Sequence, residues 1–214
     1  IAAVMDAEDS FELHIADTLK AGAGLCREDV VRFVVSEGPE RIAELIDWGV
    51  EFSRKAGTEA SFDLGKEGGH SMRRVLHAAD STGREIERAL IDKVHSIENI
   101  RIYENFLAID LIRESKVLGR KSLPREEQDR CLGAYVFDIE NDRIYTFRSR
   151  FTILATGGAG KVYLITTNPD IATGDGIAMA WRAGAHIANM EFIQFHPTCL
   201  FHPEAKSFLI SEAV

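Results

Sequence analysis

The chain has 214 residues, 45% of them apolar, and a formal net charge of −9. That supports a real core in one large domain or two small ones, while the acidic balance argues against a nucleic-acid face, which needs excess cations to neutralise phosphates. No apolar run approaches the roughly 20 residues that span a bilayer, and the opening IAAVMDAEDSFELH has neither the basic flank nor the cleavage site of a leader.

The chain starts at Ile1 rather than Met and stops in FLISEAV, neither polar nor turn-forming, so we expect a window of a longer polypeptide. Three widely spaced cysteines, Cys26, Cys131 and Cys199, suit a reducing compartment, and the expected location is cytoplasmic. The seven histidines form no HExxH pattern, and no metal is expected.

In chain order, DSFELHIADTLKAGAG reads as a helix with Phe11, Ile15, Thr18 and Leu19 on one face, stopped by glycines. REDVVRFVVSEG and PERIAELIDWG read as two more helices, the second opening at Pro39 and closing at Gly49. Thr82 and Glu85 stand three apart, as in a capping box, ahead of Ile86, Ala89, Leu90 and Val94 at helical spacing. From Ile100 the period changes: IRIY and FLAIDLIRE read as strands and SLPREEQDR as a polar loop. LGAYVFDIE and RIYTFRSR flank the turn pair Asn141 and Asp142, a hairpin signal. FTILATGGAG then reads as a buried strand running into glycines, TGDGIAMAWRAGA as a helix, and HIANMEFIQFHPT as strand-like alternation.

Four features carry chemistry. Thr156, Gly157 and Gly158 end the apolar strand, where glycines admit a phosphate or ribose to the backbone, or simply make a tight turn. Asp175, at a helix start, reads first as a cap beside orphan N–H groups. Gln194, His196 and Thr198 alternate and would share one face of a strand, a polar stripe that taken alone suits a surface better than a site. Glu67, His70, Arg73, Arg74, His77 and Arg84 bring both signs together within eighteen residues. An anionic substrate would use the cations, an amino acid would also need the acid, and the bland reading is surface salt bridging of little worth. No GxGxxG occurs, so no phosphate-binding fingerprint supports a dinucleotide.

In combination and in order, EGGHSMRRVLHAADSTGREIERAL, TILATGGAGKVY, TTNPDIATGDGIAMAWRAGAHIANMEFIQFHPT and FLISEA resemble the L-aspartate oxidase family. That family sits in a superfamily with the succinate dehydrogenase and fumarate reductase flavoproteins. The resemblance runs from end to end and is weakest at KSLPREEQDR. Glu67 discriminates, because the respiratory flavoproteins carry an aromatic residue before their GGH. The resemblance implies an α/β fold: an FAD-binding Rossmann-like domain over 1–188, lacking its N-terminal strand and GxGxxG, with an antiparallel β layer. An α+β capping domain would begin over 189–214. It implies non-covalently bound FAD, held at Asp175, at the backbone of Thr156 and Gly157, and near Leu107 and Ala108, which should meet the adenine.

The implied activity is oxidation of L-aspartate to iminoaspartate, with O2 or fumarate as electron acceptor and quinolinate synthase taking the product toward NAD. Glu67 would meet the substrate ammonium, while Gln194, His196, Ser211 and Glu212 would line the dicarboxylate site. Ser211 departs from the usual threonine but keeps the hydroxyl. The catalytic arginines are expected after Val214. The competing readings are a fumarate reductase or succinate dehydrogenase flavoprotein subunit, or an inactive fragment of the flavin fold. A polypeptide limited to these 214 residues should neither retain FAD tightly nor turn over, as FAD titration and a peroxide assay on it would show.

Overall fold

The computed structural model describes residues 1–58, 61–79, 82–119 and 129–195, and the backbone of two short paired strands, β6 (Cys199–Leu200) and β7 (Phe208–Leu209). His196, Thr198, Ser211 and Glu212 lie outside the described residues, as do positions 122–128 of the polar loop. Helices and antiparallel sheets make an α/β arrangement in two compact units, one built on Ile1–Arg101 and the other on the residues from Ile102 onward.

In the first unit, α1 (Phe11–Ala21) starts where the Ser10 hydroxyl accepts the Leu13 N–H at 3.2 Å. It buries His14 and Ile15, while Phe11 stays exposed. Ile15 is buried and Thr18 and Leu19 half-buried as the spacing predicts; the departure is at Phe11, and His14 joins the buried side next to a buried arginine described below. α2 (Glu28–Asp47) is one continuous helix with Pro39 inside it, not two helices. Proline deprives the Val35 carbonyl of its usual partner, but Val35 and Ile42, seven apart on one face, are both buried, and their packing carries the helix across the break. α2 ends in a Schellman motif: Gly49 takes φ +99°, Val50 N–H reaches the Leu45 carbonyl and Gly49 N–H that of Ile46.

Two-residue strands β1 (Leu64–Gly65) and β2 (Val75–Leu76) pair antiparallel, and α3 (Thr82–His95) follows. Ala3, Ile42, Val50, Phe52, Leu64, Leu76 and Ala89 form the core, with Ile86 against it, as the α3 spacing foretells. The Thr82–Glu85 pair does not act as a capping box. Thr82 Oγ1 accepts from Ala78 N–H and Glu85 Oε1 from Glu51 N–H, so both side chains stitch neighbouring segments to the helix start instead.

The second unit holds a three-stranded sheet of β3 (Phe106–Arg113), β4 (Cys131–Asp138) and β5 (Arg143–Arg148), in that order. One-turn helix α4 (Glu114–Val117) follows β3. The β4–β5 hairpin forms as read. Asp138 closes it by accepting the Asn141 N–H and side-chain amide, and Asp142 takes φ +51°. IRIY forms no strand, but Tyr103 packs edge-on against Phe106 and Phe147. Residues 151–159 form neither helix nor strand and pair with no strand among the described residues, and Phe151 and Ile153 are 85% and 89% exposed. The buried-strand reading is corrected here: an apolar strand is buried only by neighbours on its ladder and faces. α5 (Asp175–Arg182) is the expected helix, whereas 186–195 form no strand. Among the described residues no helix is long and apolar enough to cross a membrane, and no group of three side chains suits a metal ion.

Pro39→Ala should restore the missing helical hydrogen bond and remove the ring clash. In the full-length protein it should stabilise by about 1–3 kcal/mol, read as a higher urea midpoint at unchanged m-value.

Candidate functional site

Each unit contributes one cluster. In the first, Glu67 opens a tight turn in which His70 N–H donates to the Glu67 carbonyl at 3.2 Å, with Gly69 at φ +85°. A positive φ there is the third position of a type II turn, which favours glycine. The Glu67 side chain is exposed and makes no hydrogen bond or ion pair among the described residues.

Beneath this turn lies Arg74, fully buried. Its Nε and Nη2 donate to the two oxygens of Asp9 at 2.7 and 2.8 Å, and Nη1 donates to Asp17 at 2.7 Å. Asp17 also accepts the Ser71 N–H at 2.8 Å and its hydroxyl at 2.7 Å. Nη1 lies 3.3 Å from His70 Nδ1, and the His70 ring sits 5.8 Å from that of His14. His14 is buried and its Nδ1 has no partner among the described residues.

The Ser71 N–H and hydroxyl, aided by Arg74, hold the Asp17 carboxyl far below the ordinary range against a small opposing cost of burial. For Asp9 burial pulls upward, but the Arg74 and Ser10 hydrogen bonds outweigh it and the carboxyl is held low. Burial, then the Arg74 and His70 charges, lower His14. Surface salt bridging is thus the wrong description of Arg74, although it fits Arg88 with Glu85 and Asp92 on exposed α3. Arg73 is elsewhere occupied, donating to the Leu64 carbonyl at 3.2 Å. His77 lies 3.6 Å from Asp63 and Arg84 is exposed on α3, so the six charged residues of this stretch do not converge on one pocket.

In the second unit the structure brings Thr156, Gly157 and Asp175 together. Gly174 N–H donates to the Gly158 carbonyl at 3.1 Å and Lys161 N–H to that of Ala172 at 3.0 Å, tying the glycine loop to the start of α5. Gly176 is buried against Thr156, and a Cβ there would overlap the threonine Oγ1. The cap of α5 is Gly174 at φ +80°, with no side-chain hydrogen bond, so Asp175 is a first-turn residue. Its exposed carboxylate has no hydrogen-bonded partner among the described residues.

Leu107 and Ala108 pair with Phe137 and Val136 beside a bulge in β3. Arg182, from the end of α5, donates to the Ile109 carbonyl at 2.9 Å and to Asp110 at 3.2 Å, so this part of β3 is fastened to the helix that starts at Asp175. Gln194 is exposed and lines a small pocket of about 130 Å³ with Gly160, Tyr163, Asn168 and Phe195. Sequence reasoning missed the Asp9–Arg74–Asp17 cluster and the Arg182 tie. An acid just before one helix and another within it, and an arginine closing a second helix, are the available signals.

This arrangement fits a ribose- and phosphate-bearing cofactor. A Cβ at Gly157 or Gly158 would meet nothing within 4 Å, so the backbone faces open space that a ligand can approach. The free Asp175 carboxylate suits ligand hydroxyls, and the orphan N–H groups of the α5 start suit an anion.

Comparison with known proteins agrees. The FAD binding domain family model matches residues 1–214. L-aspartate oxidase 1 of Ralstonia nicotianae is 56% identical and L-aspartate oxidase of Pseudomonas aeruginosa 53% identical, each over 100% of this chain and 39% of the relative. A chloroplastic L-aspartate oxidase of Arabidopsis thaliana is 46% identical over 100% of this chain and 33% of its own. The chain thus spans about two-fifths of the length of the bacterial relatives. Among solved structures, a quinol fumarate reductase of E. coli superimposes with TM-score 0.85 at 31% identity, covering 98% of this chain and 33% of that one. Sdh1 of Mycobacterium smegmatis in complex with UQ1 gives 0.84 at 31% identity, over 99% and 35%.

The cluster under the Glu67 turn makes the first unit acid-sensitive. A histidine lowered on folding stabilises fully above its unfolded value, about 6.5, and loses that contribution as pH falls below it. Lowered aspartates stabilise above their unfolded value, about 3.9, and lose that contribution as pH falls further. Urea midpoints of the full-length protein should therefore drop in two stages, near pH 6 and below about pH 4. In His14→Gln only the second stage should remain.

Proposed function

The chain belongs to the FAD binding domain family, and from that premise we propose that it is the flavin-binding part of an L-aspartate oxidase. The observation that carries this reading is the Glu67 carboxylate, presented on a glycine turn without a hydrogen-bonded partner. A dicarboxylate substrate without nitrogen offers that acid nothing, whereas the α-ammonium of L-aspartate offers a charge-assisted hydrogen bond. The identity with oxidase relatives, far above that with the fumarate reductase structure, supports the same choice.

FAD is the cofactor of the family; when bound, it supplies a hydride acceptor for Cα of L-aspartate and passes the electrons to O2, giving H2O2, or to fumarate. The chain's own residues bind and orient. Gly157 and Gly158 let the backbone approach the cofactor, and Asp175 accepts from its hydroxyls. The bulged stretch at Leu107 and Ala108, fastened by Arg182, gives the adenine a fixed wall. Glu67 holds the ammonium by a charge-assisted hydrogen bond. Gln194, His196 and Ser211 donate hydrogen bonds to the carboxylates, and Glu212 lines the same site. Residues 1–188 form the FAD-binding domain, and 189–214 open the capping domain that excludes water from the reacting face. The iminoaspartate product goes to quinolinate synthase in the cytoplasm, where the free thiols Cys26 and Cys131 are stable.

A fumarate reductase-type flavoprotein is the second reading, favoured by the superposition with the E. coli enzyme. Glu67→Gln in the full-length protein separates the two. Loss of one charge-assisted hydrogen bond should lower kcat/KM for L-aspartate about ten- to hundredfold and leave succinate binding alone. Unchanged discrimination between aspartate and succinate would overturn the oxidase reading.

A further inference from the structure

We propose that Arg74 is a positioning residue for the Glu67 carboxylate, its guanidinium holding the far end of the turn that carries it. This inference rests on Glu67 being the ammonium acceptor. The near end is fixed by backbone: the Arg74 main-chain N–H donates to the Gly65 carbonyl at 3.2 Å, just before the turn. Its Nη1 reaches His70 Nδ1 at 3.3 Å, and it shares Asp17 with the N–H and hydroxyl of Ser71, just after the turn.

An arginine has no acceptor, so His70 must present the Nδ1 lone pair and carry its ring proton on Nε2. The orientation of the guanidinium is itself fixed, because Asp9 grips it with both oxygens. The turn has little stiffness of its own: a Cβ at Gly68 or Gly69 would meet nothing within 4 Å, and glycine is the least restrained residue. Directional precision at Glu67 therefore comes from the clamp. Stability alone does not demand an arginine here, since a buried ion network is often replaced by apolar side chains of similar volume at no loss. The backbone bond to Gly65 survives any such replacement, but an apolar residue cannot fix the His70 and Asp17 anchors at defined angles, nor can lysine, a point charge without the planar fork.

The test uses the full-length protein with FAD bound. In Arg74→Lys, KM for L-aspartate should rise about tenfold or more, in line with the cost of a misplaced binding group, with a smaller change in kcat. Inhibition by succinate, which has the two carboxylates but no ammonium, should move less than about twofold. In a Glu67→Gln background, Arg74→Lys should add nothing to the aspartate loss, as for two residues acting through one contact. Flavin absorbance reports whether the fold holds. Ser71→Ala removes one anchor, leaves the guanidinium in place, and should give the same selectivity in weaker form even where Arg74→Lys fails to fold. Equal losses for aspartate and succinate, no loss for either, or additivity with Glu67→Gln would each overturn the proposal. If Glu67→Gln alone leaves discrimination unchanged while Arg74→Lys shifts it, the ammonium reading fails by itself.

Discussion

The first unit depends on one buried cation. Arg74 sits wholly inside the protein, where an unpaired charge would cost several kcal/mol. The fold meets that cost by surrounding it: two oxygens of Asp9, one of Asp17 and the ring nitrogen of His70 take directed N–H groups. Because Asp9 precedes α1 and Asp17 lies within it, satisfying the guanidinium also fixes how that helix lies on the β1–β2 segment. This accounts for the burial of His14 beside Ile15 while Phe11 stays exposed.

The second unit solves a related problem with one side chain. The β3 bulge shifts the pairing between Ala108 and Asp110. Arg182 donates to the Ile109 carbonyl beside it and pairs with Asp110. The same helix begins at Asp175 beside the glycine loop, so its two ends hold two separate segments of this unit. At its start Gly176 presses against Thr156, and at its end Arg182 holds the strand of Leu107 and Ala108. Eight residues of helix thus relate positions that lie some fifty residues apart along the chain.

Legibility follows from how local the causes are. The β4–β5 hairpin and the apolar face of α3 were readable because turn residues and spacing act within a few residues. The Thr82–Glu85 pair matches a local rule, yet Thr82 accepts from Ala78 four residues back and Glu85 from Glu51, a donor thirty-four residues away. Pro39 marks a helix start by propensity, but Val35 and Ile42 bury together and carry α2 through it. Residues 151–156 have strand composition, and strand formation needs a neighbour that composition does not supply. At the site, Thr156, Gly157 and Asp175 were found by motif and prove adjacent. Arg74 was noticed as a charge and its burial was not, because burial depends on Asp9 and Asp17, some sixty residues earlier.

That burial changes what the stretch from Glu67 to Arg74 can recognise. Read as composition, it holds two adjacent arginines and one glutamate, which favours an anion. In the fold Arg74 is neutralised by two carboxylates and Arg73 is turned to the Leu64 carbonyl. The cations are used to build the turn, and the acid is the group left facing outward. A surface acid of this kind, in water, gives little binding by itself. Wherever solvent is excluded beside it, the same carboxylate would interact far more strongly with a cation.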